Sequence, residues 1–219
     1  MKTVVVCSGG LDSVTLAHLV ARDHALERLV TFDYGQRHRT EIDHAALAAA
    51  DLGTRHDVVD IRAVQPFLTG SSLTDDLDVP DGHYAEESMR VTVVPNRNAI
   101  LFTIAYGIAA GAGADAVAAA VHAGDHFIYP DCRPAFVDAF RAMEDLALEG
   151  MWRVDFLTPF VARTKADIVA VGAELGVPFE RTWSCYKGGA VHCGTCGTCT
   201  ERKEAFALAG VADPTVYAA

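Results

Sequence analysis

The sequence predicts an α/β protein built on a parallel sheet with helices on both faces. Two patterns point there. Strand-like runs alternate with helical ones in β-α-β-α order, and the first strand, in VVVCSGGLDSVTLAHLV at 4–20, ends on a glycine pair that opens straight into an apolar helix. Length bounds the answer: 219 residues, 51% of them hydrophobic and 21% charged, carry one sizeable core with at most a small appendage. That composition excludes disordered and fibrous classes.

A β-branched run over 3–7 forms the first strand, and apolar positions over 13–22 form the first helix. Runs at 29–32, 56–60 and 116–121 read as the following strands. Between them 41–52 is a helix whose Ile42, Ala45, Ala46 and Ala49 fall at i, i+3, i+4 and i+7, one stripe for the sheet, and 98–112 is a longer apolar helix. A helix over 134–149 opens on Pro134 and places Phe136, Val137, Phe140 and Met143 on one side. The last helix starts at Thr164, with Asp167 three residues on as a variant capping box, and stops near Gly176. Two stretches break the alternation. Residues 62–90, rich in Asp, Ser, Gly and Pro, are long enough to be a lid or a mobile segment, and 185–199 are dense in Cys and Gly.

The net charge of −11 argues against broad binding to nucleic acid, which needs a basic surface to release counterions. The apolar run at 4–7 is too short for a signal peptide. The longest uncharged stretch, 99–114, stops at Asp115, short of a membrane span. These observations predict a cytoplasmic protein with no membrane or nucleic-acid partner. In a reducing compartment, six cysteines point to metal binding or chemistry before disulfides.

The glycine turn carries the first functional signal. A strand-to-helix turn aims backbone N–H groups outward at the positive end of the helix dipole, a ready phosphate site. Gly9 and Gly10 let the backbone fold into a concave nest, Ser8 and Ser13 add hydroxyls, and Asp12 either holds Mg²⁺ or caps the helix. A tight turn whose Ser and Asp act only as caps is the bland alternative. Against it stands the position of the turn, at the carboxyl end of a strand, where open α/β sheets bind ligands. The lysine of a Walker A loop is missing, which excludes kinase and GTPase readings.

Ser8-Gly9-Gly10-Leu11-Asp12-Ser13 resembles the SGGxDS signature of the PP-loop ATP pyrophosphatases. TFDYGQRHRTEIDHA at 31–45, VPNRNAILF at 94–102, GDHFIYPDCRPAF at 124–136, TPFVARTKADIV at 158–169 and TWSCYKGGAVHCGTCGTCTERKEAF at 182–206 narrow the likeness. In order and content they are similar to the 7-cyano-7-deazaguanine synthase family of queuosine biosynthesis, over nearly the whole chain. Relatives usually carry glycine where this chain has Asn96, a residue that tolerates left-handed backbone, and often asparagine where it has Lys187, which adds a charge beside the cysteines.

Cys185, Cys193, Cys196 and Cys199 are spaced C-x7-C-x2-C-x2-C. Two overlapping C-x-x-C turns let four thiolates converge on one ion, which fits a closed, structural, tetrahedral zinc site. A redox pair, His192 as a substitute ligand and an iron–sulfur cluster are the alternatives. The family resemblance implies zinc at these same four cysteines. Cys7, on the first strand beside the loop, reads as a small buried hydrophobe.

The resemblance implies a Rossmann-like, PP-loop ATP-binding domain over 1–180 with a zinc-binding segment over 181–219, in a homodimer. It also implies a reaction: 7-carboxy-7-deazaguanine, ammonia and ATP give the nitrile by way of an adenylated carboxylate and an adenylated amide. In that scheme Cys7 and residues 8–13 line the ATP site, with Tyr34 and Gly35 along the nucleotide, while Asp12, Arg97 and Lys165 serve catalysis. Asp125, Tyr129, Asp131 and Arg133, a polar loop after a buried strand, wall the base and Mg²⁺. Alone, Arg97 and Lys165 could be solvated surface charges, and Asp131 could cap the helix from Pro134. His122 and His126 receive no role. Two rivals are transfer-RNA thiolation, which the acidic balance disfavours, and a non-catalytic ATP-sensing module.

Overall fold

The protein is described by a computed structural model over residues 1–36, 39–82 and 87–218. Strands β1 (Lys2–Val6), β2 (Ala25–Asp33), β3 (Arg55–Asp60), β4 (Ala116–Ala118) and β5 (Asp155–Leu157) form one sheet in the order β3-β2-β1-β4-β5. Every pairing is parallel. The α-helices are α1 (Leu11–Asp23), α2 (Thr40–Asp51), α3 (Arg97–Gly111), α4 (Pro134–Ala147), α5 (Lys165–Glu174) and α6 (Gly197–Ala209).

The alternation of side chains along each strand decides what covers each face. Val4, Val30, Phe32 and Val117 share one apolar cluster with α3 and α4. Their neighbours Val5, Leu29 and Ala118 share the other with α1, α2, α5 and α6. β1 and β4, at the centre, are covered on both faces, which is why they read as continuous apolar runs. On the first face Phe102, Phe140 and Phe156 meet at ring centroids of 5.3–5.9 Å. Each such ring contributes about 1.5–3 kcal/mol by burial, and together they clamp α3 and α4 to β5.

The capping box expected at the last predicted helix is present at α5. Thr164 Oγ1 accepts the Asp167 amide at 3.2 Å, and Asp167 Oδ2 accepts the Thr164 amide at 2.8 Å. Several boundaries differ from expectation. β2 begins at Ala25 because LERL pairs along β1 despite its two charges. β4 stops at Ala118, where the chain turns toward the cavity described below. β5 and α6 had no counterpart in the sequence reading.

In the long connection, turns of 3₁₀ helix span Arg62–Phe67 and Glu87–Thr92. Asp81 forms a bridge to Cys196, and the Gly82 amide donates to the Thr195 carbonyl at 3.3 Å. The segment is therefore tied to the cysteine-rich turn. Its residues 83–86 lie outside the described residues. Among the described residues no helix is long and apolar enough to cross a membrane.

Candidate active site and metal centre

The strand order reverses between β1 and β4, and a cavity of about 250 Å³ opens there, beyond the carboxyl ends of the strands. Such a switch point splays the connecting loops apart and leaves a crevice. Among the residues anticipated from the sequence, Cys7, Ser8, Gly10, Leu11, Asp12, Ser13, Tyr34, Arg97, Asp125, Tyr129 and Lys165 line it.

The turn after β1 is held from within. Ser13 Oγ accepts the Ser8 amide at 3.1 Å, lies 3.2 Å from Ser8 Oγ and donates to the Gly10 carbonyl at 3.2 Å. The Ser13 hydroxyl thus shapes the loop. Gly10 is the N-cap of α1 and supplies no side-chain cap, so the leading amides of the helix face the cavity with the dipole behind them. Asp12 sits inside the first turn and does not cap it.

Gly9 serves a packing need that the sequence does not show. Its φ is +84°, and a Cβ there would lie 2.1 Å from the Glu41 carbonyl oxygen and 2.6 Å from the Ala45 nitrogen, so α2 rests directly on the loop. Gly9→Ala is expected to cost about 3 kcal/mol or more, read as a shift in the urea midpoint. Gly10→Ala is expected to cost under about 1 kcal/mol, because Gly10 has φ −76° and its Cβ would meet nothing nearer than 3.3 Å.

Behind the loop, Lys165 Nζ lies 3.1 Å from Asp12 Oδ2 and 2.7 Å from Glu201 Oε2. Burial opposes charge on all three. The paired carboxylates nevertheless hold the Lys165 ammonium firmly protonated. Burial pushes the Asp12 carboxyl up, but Lys165 and His122 outweigh it and leave Asp12 below the ordinary carboxylate range. His122 Nδ1 accepts the Gly124 amide at 3.1 Å, so its proton sits on Nε2, 3.4 Å from Asp125 and 3.7 Å from Asp12. Asp12 Oδ1 is buried with no hydrogen-bond partner, an orphan acceptor that fits a divalent cation. His122 and Glu201 were not anticipated. His122 meets Asp12, and Glu201 meets Lys165, only in the folded chain.

A second wall is aromatic and basic. Arg97 stacks 6.0 Å above the Tyr34 ring, and Tyr129 Oη lies 2.7 Å from Thr92 Oγ1. Burial lifts the Tyr34 phenol to about 12. Gly35 has φ +82° and stands against Gln65, outside the lining. Asp131 accepts the Asn98 amide at 3.1 Å, which caps the first turn of α3 and not α4. Arg133 is exposed and donates to the His126 carbonyl at 2.8 Å, away from the cavity. Asn96, in front of Arg97, adopts the left-handed backbone at φ 56°, the only positive φ at a non-glycine position among the described residues. Glu41, Gln36, Trp183, Ser184 and Tyr186 also line the cavity and were not singled out from the sequence.

The four cysteines converge. Their sulfurs all lie within 4.8 Å of one another, Cys193 and Cys199 at 3.8 Å, and four bonds of about 2.3 Å to one tetrahedral ion bring sulfurs to about that spacing. The amides of Thr195 and Cys196 donate to Cys193 Sγ at 3.4 and 3.3 Å, as suits a thiolate. These residues can hold a metal ion. His192 is not placed as a ligand: its Nε2 accepts the Ser184 amide at 3.0 Å, and its ring stacks 4.4 Å from Trp183. Lys187 pairs with Asp81, so the charge added beside the cysteines is matched from the long connection. The Trp183 amide donates to the Gly9 carbonyl at 2.9 Å, which joins the cysteine segment to the glycine turn.

A parallel sheet of this order, a glycine turn at its switch point and an acid–lysine pair behind the turn define a PP-loop α/β protein. A solved structure of NMN synthetase from Francisella tularensis shares this fold, with a TM-score of 0.52 over 96% of this chain and 78% of that chain at 17% identity. The chain belongs to the QueC family: the family model described as "Queuosine biosynthesis protein QueC" matches residues 2–210. It is 67% identical over 217 residues to the 7-cyano-7-deazaguanine synthase of Paracoccus denitrificans (strain Pd 1222), covering 99% of this chain and 93% of that one. It is 65% identical over 218 residues to the enzyme of the same name from Ruegeria pomeroyi, covering 100% and 95%.

Proposed function

We propose that this chain converts 7-carboxy-7-deazaguanine and ammonia into 7-cyano-7-deazaguanine at the expense of two ATP. The supporting observation is the uncapped start of α1 facing the cavity, with the Lys165–Asp12 pair directly behind it. Amides in that position grip the departing pyrophosphate, and Lys165 offsets its charge.

A carboxylate oxygen is a poor leaving group at neutral pH. Attack of that oxygen on the α-phosphorus forms an acyl adenylate and breaks the bond to pyrophosphate. Ammonia then displaces AMP to give the amide. The amide oxygen attacks a second ATP, and loss of AMP with the remaining N–H protons leaves the nitrile. Arg97, held above Tyr34, is assigned to the substrate carboxylate or the α-phosphate, since a guanidinium matches either. Tyr34 follows the nucleotide, and Asp125 and Tyr129 wall the base. Asp12 and Asp125 would hold Mg²⁺, which neutralises the phosphate oxygens when bound. We assign zinc to the four cysteines, because sulfurs this close enclose a single ion, whereas a four-iron cluster holds them farther apart. A cytoplasmic homodimer using free ammonia completes the reading.

Purified protein with ATP, ammonium and the carboxy substrate is expected to release two AMP and two pyrophosphate per nitrile, read by chromatography. ADP as the nucleotide product would overturn the assignment.

A further inference from the structure

In the reaction proposed above, the nitrogen enters as ammonium with four N–H bonds and leaves in the nitrile with none. Four protons must therefore pass to a base. Displacement of AMP from the acyl adenylate by ammonium yields the amide, AMP and two protons. Adenylation of the amide oxygen and cleavage of its C–O bond release one proton each.

Few of the described side chains around the cavity can accept them. Arg97 and Lys165 are cations. Tyr34 and Tyr186 are phenols raised by burial, and the Cys7 and Cys132 thiols are raised by burial too. Asp12 is bound to Lys165, and Asp125 faces the Nε2–H of His122. Glu41 differs from all of these. It stands in the first turn of α2, lines the same cavity, and accepts a hydrogen bond from Gln36 Nε2 at 3.2 Å. Gln36 is itself fixed, since its Oε1 accepts the Tyr34 amide at 2.9 Å and its Nε2 also donates to the Phe32 carbonyl at 3.0 Å. One carboxylate oxygen is thereby oriented on a side chain that lines the cavity.

We infer that Glu41, oriented by Gln36, is the catalytic base that takes protons from ammonium and from the amide nitrogen. This assignment rests on the reaction proposed above. Among the described residues, the groups facing Glu41 are Arg97 from α3, Tyr34 and Gln36 from the turn after β2, and Cys7 at the end of β1. Burial pushes its carboxyl up, Arg97 and the Gln36 bond pull it down, and it settles at about 7, a value matched to accepting and releasing protons near neutrality.

The test uses the full-length protein and two readouts. Exchange of labelled pyrophosphate into ATP, dependent on the carboxy substrate and without ammonium, reports adenylation. Nitrile formation with ammonium reports the proton-releasing steps. Glu41→Gln is expected to keep exchange within about threefold and to lower nitrile formation at neutral pH by about 100-fold or more. The acidic limb of the wild-type pH profile should vanish, and the residual rate should rise in step with free ammonia. Glu41→Asp should recover part of the rate and the limb. Exchange and nitrile formation lost in equal measure, or nitrile formed at the wild-type rate, overturns the assignment. Absence of exchange in the wild type overturns the underlying reaction as well.

Discussion

Lys165→Met is expected to lower kcat/KM for nitrile formation by about 1,000-fold, with the loss already present in pyrophosphate exchange. The ammonium lies 3.1 Å from Asp12 and 2.7 Å from Glu201, so its removal takes the positive charge from behind the glycine turn, where we place the leaving pyrophosphate, and leaves two acids facing each other. Stability should fall as well, by about 3–5 kcal/mol, because the partners of a buried ion pair are stranded. The pH dependence follows from the signs. In the wild type Asp12 is held below its ordinary range, so its contribution is present at neutral pH and lost as pH falls through the folded-state value. Without Lys165, burial lifts Asp12 and Glu201 above their unfolded values. Their penalty is then largest at neutral pH and shrinks as they protonate. Urea midpoints at about pH 7.5 and about pH 5 should therefore differ less between variant and wild type at the lower pH. An equal gap at both would show that the two acids do not repel.

Removal of the metal is expected to be the most damaging change to the structure. A chelator, or Cys196→Ser, should lower the melting temperature by more than about 10 °C, since a structural tetrathiolate site contributes several kcal/mol or more to folding. Cys196 and Cys199 are fully buried, and with Trp183 and Cys185 they form a small apolar cluster of their own that has little else to hold it. Ser184, Cys185 and Tyr186 line the cavity, so its wall should loosen before the sheet does. Calorimetry on the metal-loaded and stripped protein checks this. An unchanged transition would mean that the four sulfurs hold nothing needed for the fold.

Much of the architecture was legible because its signals are local. The β-branched run of β1, the Thr164–Asp167 box and Pro134 each act within one turn of chain, and each marks an element in the structure. β5 was hidden because it has three residues, DFL, and reaches the sheet only by pairing with β4. α6 was hidden by its composition. It starts on glycine among cysteines, and its buried stripe of Thr198, Cys199, Arg202, Ala205 and Phe206 is interrupted by an arginine. That arginine is fully buried only because Thr182, Ser184, Thr215 and the Phe179 carbonyl all accept from it. The site divides in the same way. The SGGLDS turn and the four cysteines are contiguous motifs and could be read directly. Glu41, His122 and Glu201 gain their chemistry from partners that only the folded chain supplies. Gly9 was legible as a required glycine, but the reason, the backbone of α2 lying against it, was not.

The hydrogen bond from Trp183 to Gly9 has a consequence for biosynthesis. A ribosome delivers the chain from its amino end, so the glycine turn emerges 174 residues ahead of the amide that steadies it. The nascent protein can lay down its central strands early, but it cannot finish steadying the glycine turn until the cysteine-rich segment has been made.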